Sequence, residues 1–235
     1  MPDELWVTRL GVVPYPEATA IQEAVRARRL EREVPDVLLL LEHPPVYTLG
    51  RRTGPGDLGM GEAFYRDHGI DVADADRGGR VTYHGPGQLV GYPIMAIADV
   101  RRHVRAMEQA LIAALDDEGV AARVRPDEGP EYTGVWVQDR KIASIGVHVH
   151  KGVTTHGFAV NLTNDLRPFG WVVACGLPDV QMTSLAAETS RTGNLLPCFS
   201  KRVAWRFAQA TGRRQRLISP ARAGIRVPEP AGAAR

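Results

Sequence analysis

Cys175 lies in the run Val172-Val173-Ala174-Cys175-Gly176-Leu177-Pro178. A free cysteine commonly serves as a small buried hydrophobe. Gly176 and Pro178 favour a loop, where a thiol can be reached and can act as a nucleophile. On these residues alone both readings stand. A nucleophilic cysteine works as its thiolate, and a nearby cation is the usual means of favouring that form over a thiol of ordinary pKa, about 8.5. The lysines of this arginine-rich chain are Lys141, Lys151 and Lys201. Lys141 opens the run Lys141-Ile142-Ala143-Ser144-Ile145-Gly146, where a strand-start lysine is commonly a solvated edge residue. Cys198, just before the last helix, has no supporting pattern and reads as structural.

Residues 77–93 carry the densest mixture of glycine and polar groups: Arg-Gly-Gly-Arg-Val-Thr-Tyr-His-Gly-Pro-Gly-Gln-Leu-Val-Gly-Tyr-Pro. Val81–His84 and Leu89–Tyr92 read as short strands, with Gly85-Pro86-Gly87 as a turn between them. A hairpin is the plain structural reading. Arg77, Thr82, Tyr83, His84 and Gln88 put many polar groups into a segment that otherwise looks buried, and buried polar groups need partners. A ligand-lining role is therefore equally open. The stretch is neither a dinucleotide nor a phosphate loop, because the glycine spacings of both are missing. His148, His150 and His156 hint at a metal, but no cysteine or carboxylate stands at a zinc spacing beside them. No metal site is expected, and His84 reads as a hydrogen-bonding group.

With these residues in view, the chain resembles the bacterial lipoyl(octanoyl) transferases. In that family an Arg-Gly-Gly run is followed by Thr-(aromatic)-His-Gly-Pro-Gly-Gln, a pattern matched almost without interruption from Arg77 to Pro93. Leu41-Glu42-His43 with Tyr47-Thr48 and Gly50 matches a second family segment, and His156-Gly157-Phe158-Ala159 a third. The resemblance implies that Cys175 is the catalytic nucleophile and Lys141 its partner. It also places an acyl slot against Arg77, Gly78, Gly79, Arg80, Val81, Thr82, Tyr83 and His84, against Ser144, Ile145 and Gly146, and against Gly157, Phe158 and Ala159. Small residues at Gly146, Gly157 and Ala159 would leave room for the chain. Backbone N–H groups near Gly176 or Gly78-Gly79 could hold an oxyanion.

The reaction so implied moves an octanoyl or lipoyl group from acyl carrier protein, through a cysteine thioester, to a lysine of a lipoyl domain. Octanoyl-acyl carrier protein is the donor. Lipoyl domains of 2-oxoacid dehydrogenase E2 subunits and the glycine cleavage H protein are the acceptors. Neither ATP, metal nor another cofactor is needed. Two rivals remain: an ATP-dependent lipoate-type ligase of the same fold, and a non-catalytic protein that binds acyl groups or carriers. The implied fold is that of the biotin- and lipoate-protein ligases.

The elements needed to position these residues can be read from periodicity. Leu5–Leu10 and Val37–Leu41 read as strands, the second fully apolar and central. Pro14–Glu33 reads as a helix whose outer face carries Arg26, Arg29 and Arg32, a solvated face. Val46–Leu49 runs into a loop at Arg51 and Arg52, either of which could face an anionic partner. Residues 53–61 hold four glycines and read as a flexible surface loop. Ile70–Ala75 is a short strand. Val100–Val120 is a helix with a core-facing stripe of Val100, Val104, Met107, Leu111 and Leu115. Residues 125–131 form a loop before a strand at Thr133–Val137. Lys141–His150 and Gly157–Leu162 alternate as strands of a hairpin. Asn164–Gly176 is irregular, Thr183 or Ser184 caps a short helix through about Thr189, and Ser200–Thr211 is the last helix.

Strands in hairpins plus three long helices, without β-α-β alternation, give one α+β domain. Residues 1–215 are assigned to the catalytic domain and 216–235 to a loose tail. With 44% hydrophobic and 24% charged residues, the 235-residue chain has the composition of an ordinary globular protein. The formal charge of +2 gives no case for nucleic acid. No apolar run is long enough to span a membrane, and the amino terminus lacks a signal-peptide pattern. Two cysteines make no disulfide framework, so a cytoplasmic setting is expected.

Overall fold

Residues 4–177 and 180–226 are described by a computed structural model. In chain order the strands and α-helices are β1 (Glu4–Val12), α1 (Tyr15–Leu30), β2 (Asp36–Glu42), β3 (Val46–Leu49), α2 (Glu62–Asp67), β4 (Asp71–Asp74), β5 (Val81–His84), β6 (Gln88–Ile94), α3 (Val100–Asp116), β7 (Gly134–Val137), β8 (Arg140–His150), β9 (Val153–Asn161), β10 (Gln181–Met182), α4 (Leu185–Thr189), α5 (Leu196–Ala210) and β11 (Arg214–Leu217). A large mixed sheet runs β10-β8-β9-β6-β2-β1-β11, with β7 also on β8, and a small sheet runs β4-β3-β5. The α+β reading holds.

The apolar run of β2 is explained by burial on both faces. Leu38 and Leu40 face one cluster with α3 and α5, including Leu111, Leu115, Phe199 and Phe207. Val37, Leu39 and Leu41 face the other, with Ala18 and Val25 of α1. The β8–β9 hairpin forms as expected and is antiparallel, with Ile145 opposite Phe158 and Gly146 opposite Gly157, but β9 begins at Val153 rather than Gly157, so the pairing extends to the turn. Ser184 caps α4 by accepting the Ala187 N–H at 3.2 Å.

Several expectations change. The strands on either side of Gly85-Pro86-Gly87 are not a hairpin. β5 pairs with β3, and β6 pairs with β2 and β9 in the other sheet. The chain breaks at His43-Pro44-Pro45 between β2 and β3, so two consecutive strands pass between sheets opposite two others that do the same. Glu42 secures this crossing by accepting the Gly87 N–H at 2.7 Å. Residues 53–61 are more than a surface loop, because Asp57 within them is buried. Helix α2 follows them without having been expected.

The stripe of α3 is core only from its second turn onward: Val100 is exposed and Val104 half-buried. Cys198 is exposed on the first turn of α5, so it does not fill the core. Residues 216–226 do not trail away. β11 adds to β1 in parallel from Arg214 to Leu217, and Ala223 and Ile225 are buried against the α1 side of the sheet. The end of the expected loose tail, 227–235, and Pro178 of the cysteine loop lie outside the described residues.

Asp36 helps fasten this carboxyl-terminal segment. Its buried carboxylate accepts Arg29 Nε at 2.8 Å, Arg213 Nε at 2.9 Å and the Ala96 N–H at 3.1 Å. Both arginines are partly exposed, so the cost of losing the carboxylate falls below that of a fully buried pair. Asp36→Ala should lower unfolding free energy by about 2 kcal/mol, read as a lower urea midpoint at unchanged slope.

Burial also holds scaffold histidines neutral. His43 has Nδ1 at 2.6 Å from the Val13 carbonyl, which accepts its N–H, and Nε2 at 2.7 Å from the Tyr92 hydroxyl. Desolvation lowers its pKa to about 4, and does the same for His103 under Phe207. The folded state therefore binds fewer protons than the unfolded one below an ordinary histidine pKa of about 6.5. Stability should be level above about pH 6.5 and fall progressively towards pH 4. Urea midpoints measured from pH 8 to 4 check this, and His103→Gln should flatten part of the slope.

Candidate active site

Cys175 occupies a one-turn 3-10 segment, Ala174–Gly176, on the rim of the small sheet. Ala174 is buried against Tyr47, Tyr83 and Phe169 and anchors the turn. Cys175 itself adopts φ 58°, ψ 12°, a left-handed conformation that is uncommon for a residue with a Cβ. Its side chain is half-buried and lines a cavity. The two readings left open by the sequence are thereby separated: the thiol is reachable.

Lys141 is the second residue of β8 and is only 1% exposed. It is not a solvated edge residue. Its Nζ lies 3.3 Å from Cys175 Sγ and 5.2 Å from the centre of the Trp136 ring. No carboxylate among the described residues forms a salt bridge with it. Removing an ammonium from water without a counter-charge costs several kcal/mol, and the thiol is the group at hand that can become an anion. Gly134 makes the lysine's position possible. At φ +138°, a Cβ there would stand 2.4 Å from the Ala143 carbonyl oxygen and 2.8 Å from Lys141 Cε. Ser144 Oγ completes the setting at 4.0 Å from the sulfur.

The cavity beside this pair measures about 320 Å³. It is lined by Arg77, Gly78, Gly79, Arg80, Val81, Thr82 and His84 from the glycine-rich stretch, by Ser144, Ile145 and Gly146 of β8, and by Gly157, Phe158 and Ala159 of β9. One expected residue is absent from the lining. Tyr83 points the other way, into the cluster with Tyr47 and Phe169, because neighbouring residues of β5 face opposite sides. Gly146 and Gly157 do not simply make room for a chain. A Cβ on Gly157 would lie 2.3 Å from the Gly91 carbonyl oxygen, and one on Gly146 2.9 Å from that of Gly78. They let strand and loop backbones approach.

Sequence reasoning missed Tyr15, Tyr92, Val100, Val104 and Thr133, which also line the cavity. Tyr15 comes from a helix with no motif of its own, whereas Tyr92 lies within the 77–93 stretch but was read only as the end of a strand. Val100 and Val104 carried a signal, the apolar stripe of α3, but it was read wholly as core. Of the proposed oxyanion donors, Gly78 N–H is already given to the Val147 carbonyl at 3.0 Å and Gly176 N–H to Val173 at 3.2 Å.

The histidine and the tyrosines of the wall are held neutral. Desolvation drives His84 well below the ordinary histidine range, and the ring bonds Gln88 Oε1 through Nδ1 at 2.7 Å. It pushes Tyr15 up to about 12 and Tyr92 well above the usual phenol range. Arg77 is one of the charged groups in the lining, with Arg52, Arg80, Glu131 and Lys141. Its guanidinium is buried and donates to the Thr48 carbonyl and hydroxyl, both at 2.7 Å, and to the Gly78 carbonyl at 3.0 Å. Desolvation lowers even its pKa. His148 and His156 meet at Asp76, at 3.5 and 2.5 Å, while His150 lies exposed at the end of β8. Burial pulls the Asp76 carboxyl up, but its bond to His156 and the positive charges around it outweigh this and leave it below its usual range. Asp76 thus ties the start of the glycine-rich stretch to β8 and β9.

Comparison with known proteins agrees with this architecture. Residues 14–198 match the family model of the lipoyl protein ligase A/B catalytic domain. An octanoyltransferase of Acidothermus cellulolyticus is 47% identical over 95% of this chain and 96% of its own. One of Thermobifida fusca is 47% identical over 77% of both chains. The crystal structure of lipoate-protein ligase A bound with ATP superposes with a TM-score of 0.75 at 15% identity, covering 93% of this chain and 89% of that one. That likeness is one of fold. The sequence matches are closer, and by them the chain belongs to the lipoyl protein ligase A/B catalytic family and, within it, to the lipoyl(octanoyl) transferases.

Proposed function

We propose that this octanoyltransferase works through an acyl thioester on Cys175, with Lys141 moving protons. The observation that carries the reading is the 3.3 Å approach of Lys141 Nζ to Cys175 Sγ at the wall of a cavity of acyl-chain size. The Cys175 thiolate attacks the carbonyl carbon of an octanoyl thioester on acyl carrier protein. The donor's C–S bond breaks, and its departing thiolate takes a proton from Lys141. The octanoyl group is then an ester of Cys175 sulfur. A lysine amine of a lipoyl domain attacks that carbonyl next, Lys141 takes up the amine's proton, and the Cys175 thiolate leaves. Covalent catalysis divides one difficult exchange into two easier ones. Thioester to thioester to amide runs downhill without ATP.

The apolar side of the cavity, with Val104, Ile145, Val147 and Phe158, suits an alkyl chain. Lipoyl domains of 2-oxoacid dehydrogenase E2 subunits and the glycine cleavage H protein are the acceptors in this reading. The setting is cytoplasmic, where a thiol stays reduced.

Intact-mass measurement after mixing the protein with octanoyl-acyl carrier protein, without ATP, tests the route. An octanoyl adduct should form on the wild type, be absent from Cys175→Ala, and discharge on adding a lipoyl domain. Transfer that needs free octanoate and ATP, with no adduct, would assign the chain to ligase chemistry instead. Lys141→Ala should remain folded and slow adduct formation on the order of 10²- to 10⁴-fold, the usual worth of a positioned proton-transfer group. Gly134→Ala should slow the same step by displacing the lysine. An unchanged rate in Gly134→Ala would show that the placement of Nζ is not limiting.

A further inference from the structure

We infer that Asp57, paired with Arg80, is a positioning residue that holds the Cys175 turn in register with Lys141. The inference rests on the thioester reading above and goes beyond it, since Asp57 touches neither the sulfur nor the lysine and belongs to none of the motifs.

The geometry is a closed circuit. Asp57 is 3% exposed in a glycine-rich segment that otherwise has little to fold around. Its carboxylate accepts the Gly54 N–H at 2.9 Å, which closes its own loop. The same carboxylate accepts both bonds from Arg80 Nη1, at 3.1 and 3.3 Å. Its backbone carbonyl accepts the N–H of Val173 at 3.0 Å, two residues before the nucleophile. Arg80 then reaches the other side of the turn. A Cβ on Gly176 would stand 2.5 Å from Arg80 Cδ and 2.8 Å from Nε, so the arginine stem lies flat against the residue after the nucleophile. Cys175 is thus gripped from both sides, at Val173 by the Asp57 backbone and at Gly176 by the Arg80 side chain.

Such a grip is needed because the turn is not comfortable by itself. Cys175 holds a positive φ of 58°, and a non-glycine residue stays there only when its surroundings over-determine it. The bonds within the turn, Gly176 N–H to Val173 and Leu177 N–H to Ala174, close it but do not fix its place relative to β8. Arg80 does, since it leaves the glycine-rich stretch immediately before β5, and that stretch is bonded to β8 through Gly78 N–H and the Val147 carbonyl. Arg80 also changes role under this assignment. It lines the cavity as expected of a substrate-binding residue, but its guanidinium is committed to Asp57.

Single-turnover octanoylation, followed by intact mass, tests the assignment in Asp57→Ala, Asp57→Asn and Arg80→Gln, with thermal melting as the check on folding. The expected result is that every folded chain is still acylated in Asp57→Ala, but with a first-order rate constant lower by on the order of tenfold or more, as small misplacements at reacting centres produce. Asp57→Asn keeps one acceptor oxygen, which at the Oδ2 position meets both the Gly54 N–H and Arg80, and should recover part of the rate. A purely structural role would lower the melting temperature and the acylated fraction and leave the rate constant alone, which overturns the inference. So would a wild-type rate constant in both Asp57→Ala and Arg80→Gln. If Asp57→Ala does not fold, Arg80→Gln decides, because the Asp57–Gly54 bond survives in it. Failure of the wild type to form any adduct is a different outcome and would sink the thioester reading itself.

Discussion

A lysine ammonium buried beside a thiol is the constraint from which the rest of this site follows. Lys141 has almost no contact with solvent and no carboxylate partner among the described residues. In water an ammonium is strongly hydrated; inside a protein that hydration must be replaced. Trp136 supplies a ring face and Cys175 a group that can carry negative charge. The interaction is therefore strongest when the sulfur is a thiolate, the state in which the proposed mechanism has it attack a carbonyl. In the proposed route an acyl group on the sulfur removes that anion, so the contact between Lys141 and Cys175 changes at each step of the transfer.

Holding that pair takes two sheets. Lys141 belongs to β8 in the large sheet, whereas the cysteine turn rests on the small one through Ala174. The relation between the sheets is therefore the relation between Lys141 and Cys175. The glycine-rich stretch supplies it. Asp76 bonds to His156, Gly78 to Val147, β5 enters the small sheet and β6 returns to the large one. A simple hairpin at 81–92 would have kept both strands in one sheet and left the turn with nothing to register it.

This explains which features were legible in the sequence. Periodicity exposed β2, β8, β9, α3 and α5, because each buries a regular face against a long partner. Cys175 and Lys141 stand in short, distinctive segments. What escaped was set by distant pairing. The 81–92 segment has every local mark of a hairpin, and only the break at Pro44-Pro45, forty residues earlier in the chain, gives β5 its other partner. Residues 214–217 are as basic and aperiodic as a tail, yet β1 offers them an open edge. Tyr83 looked like a pocket residue because its neighbours are, and the alternation of a strand sends it elsewhere.

The cavity wall shows why polar residues in the motif need not act chemically. His84, Tyr15 and Tyr92 lie where charging is opposed by burial, the histidine held below its ordinary range and the phenols above theirs. At neutral pH they are fixed dipoles, poor at taking up or releasing protons. Arg77 is cationic but spent on Thr48 and Gly78. Neutral groups can stand beside an alkyl chain without the hydration a charged group demands; here His84 is bonded to Gln88 and Tyr92 to His43, while the Tyr15 hydroxyl has no partner among the described residues. The mechanism proposed above accordingly leaves proton transfer to the place where Lys141 and Cys175 meet, and the other polar residues of the motif shape the cavity and join the two sheets.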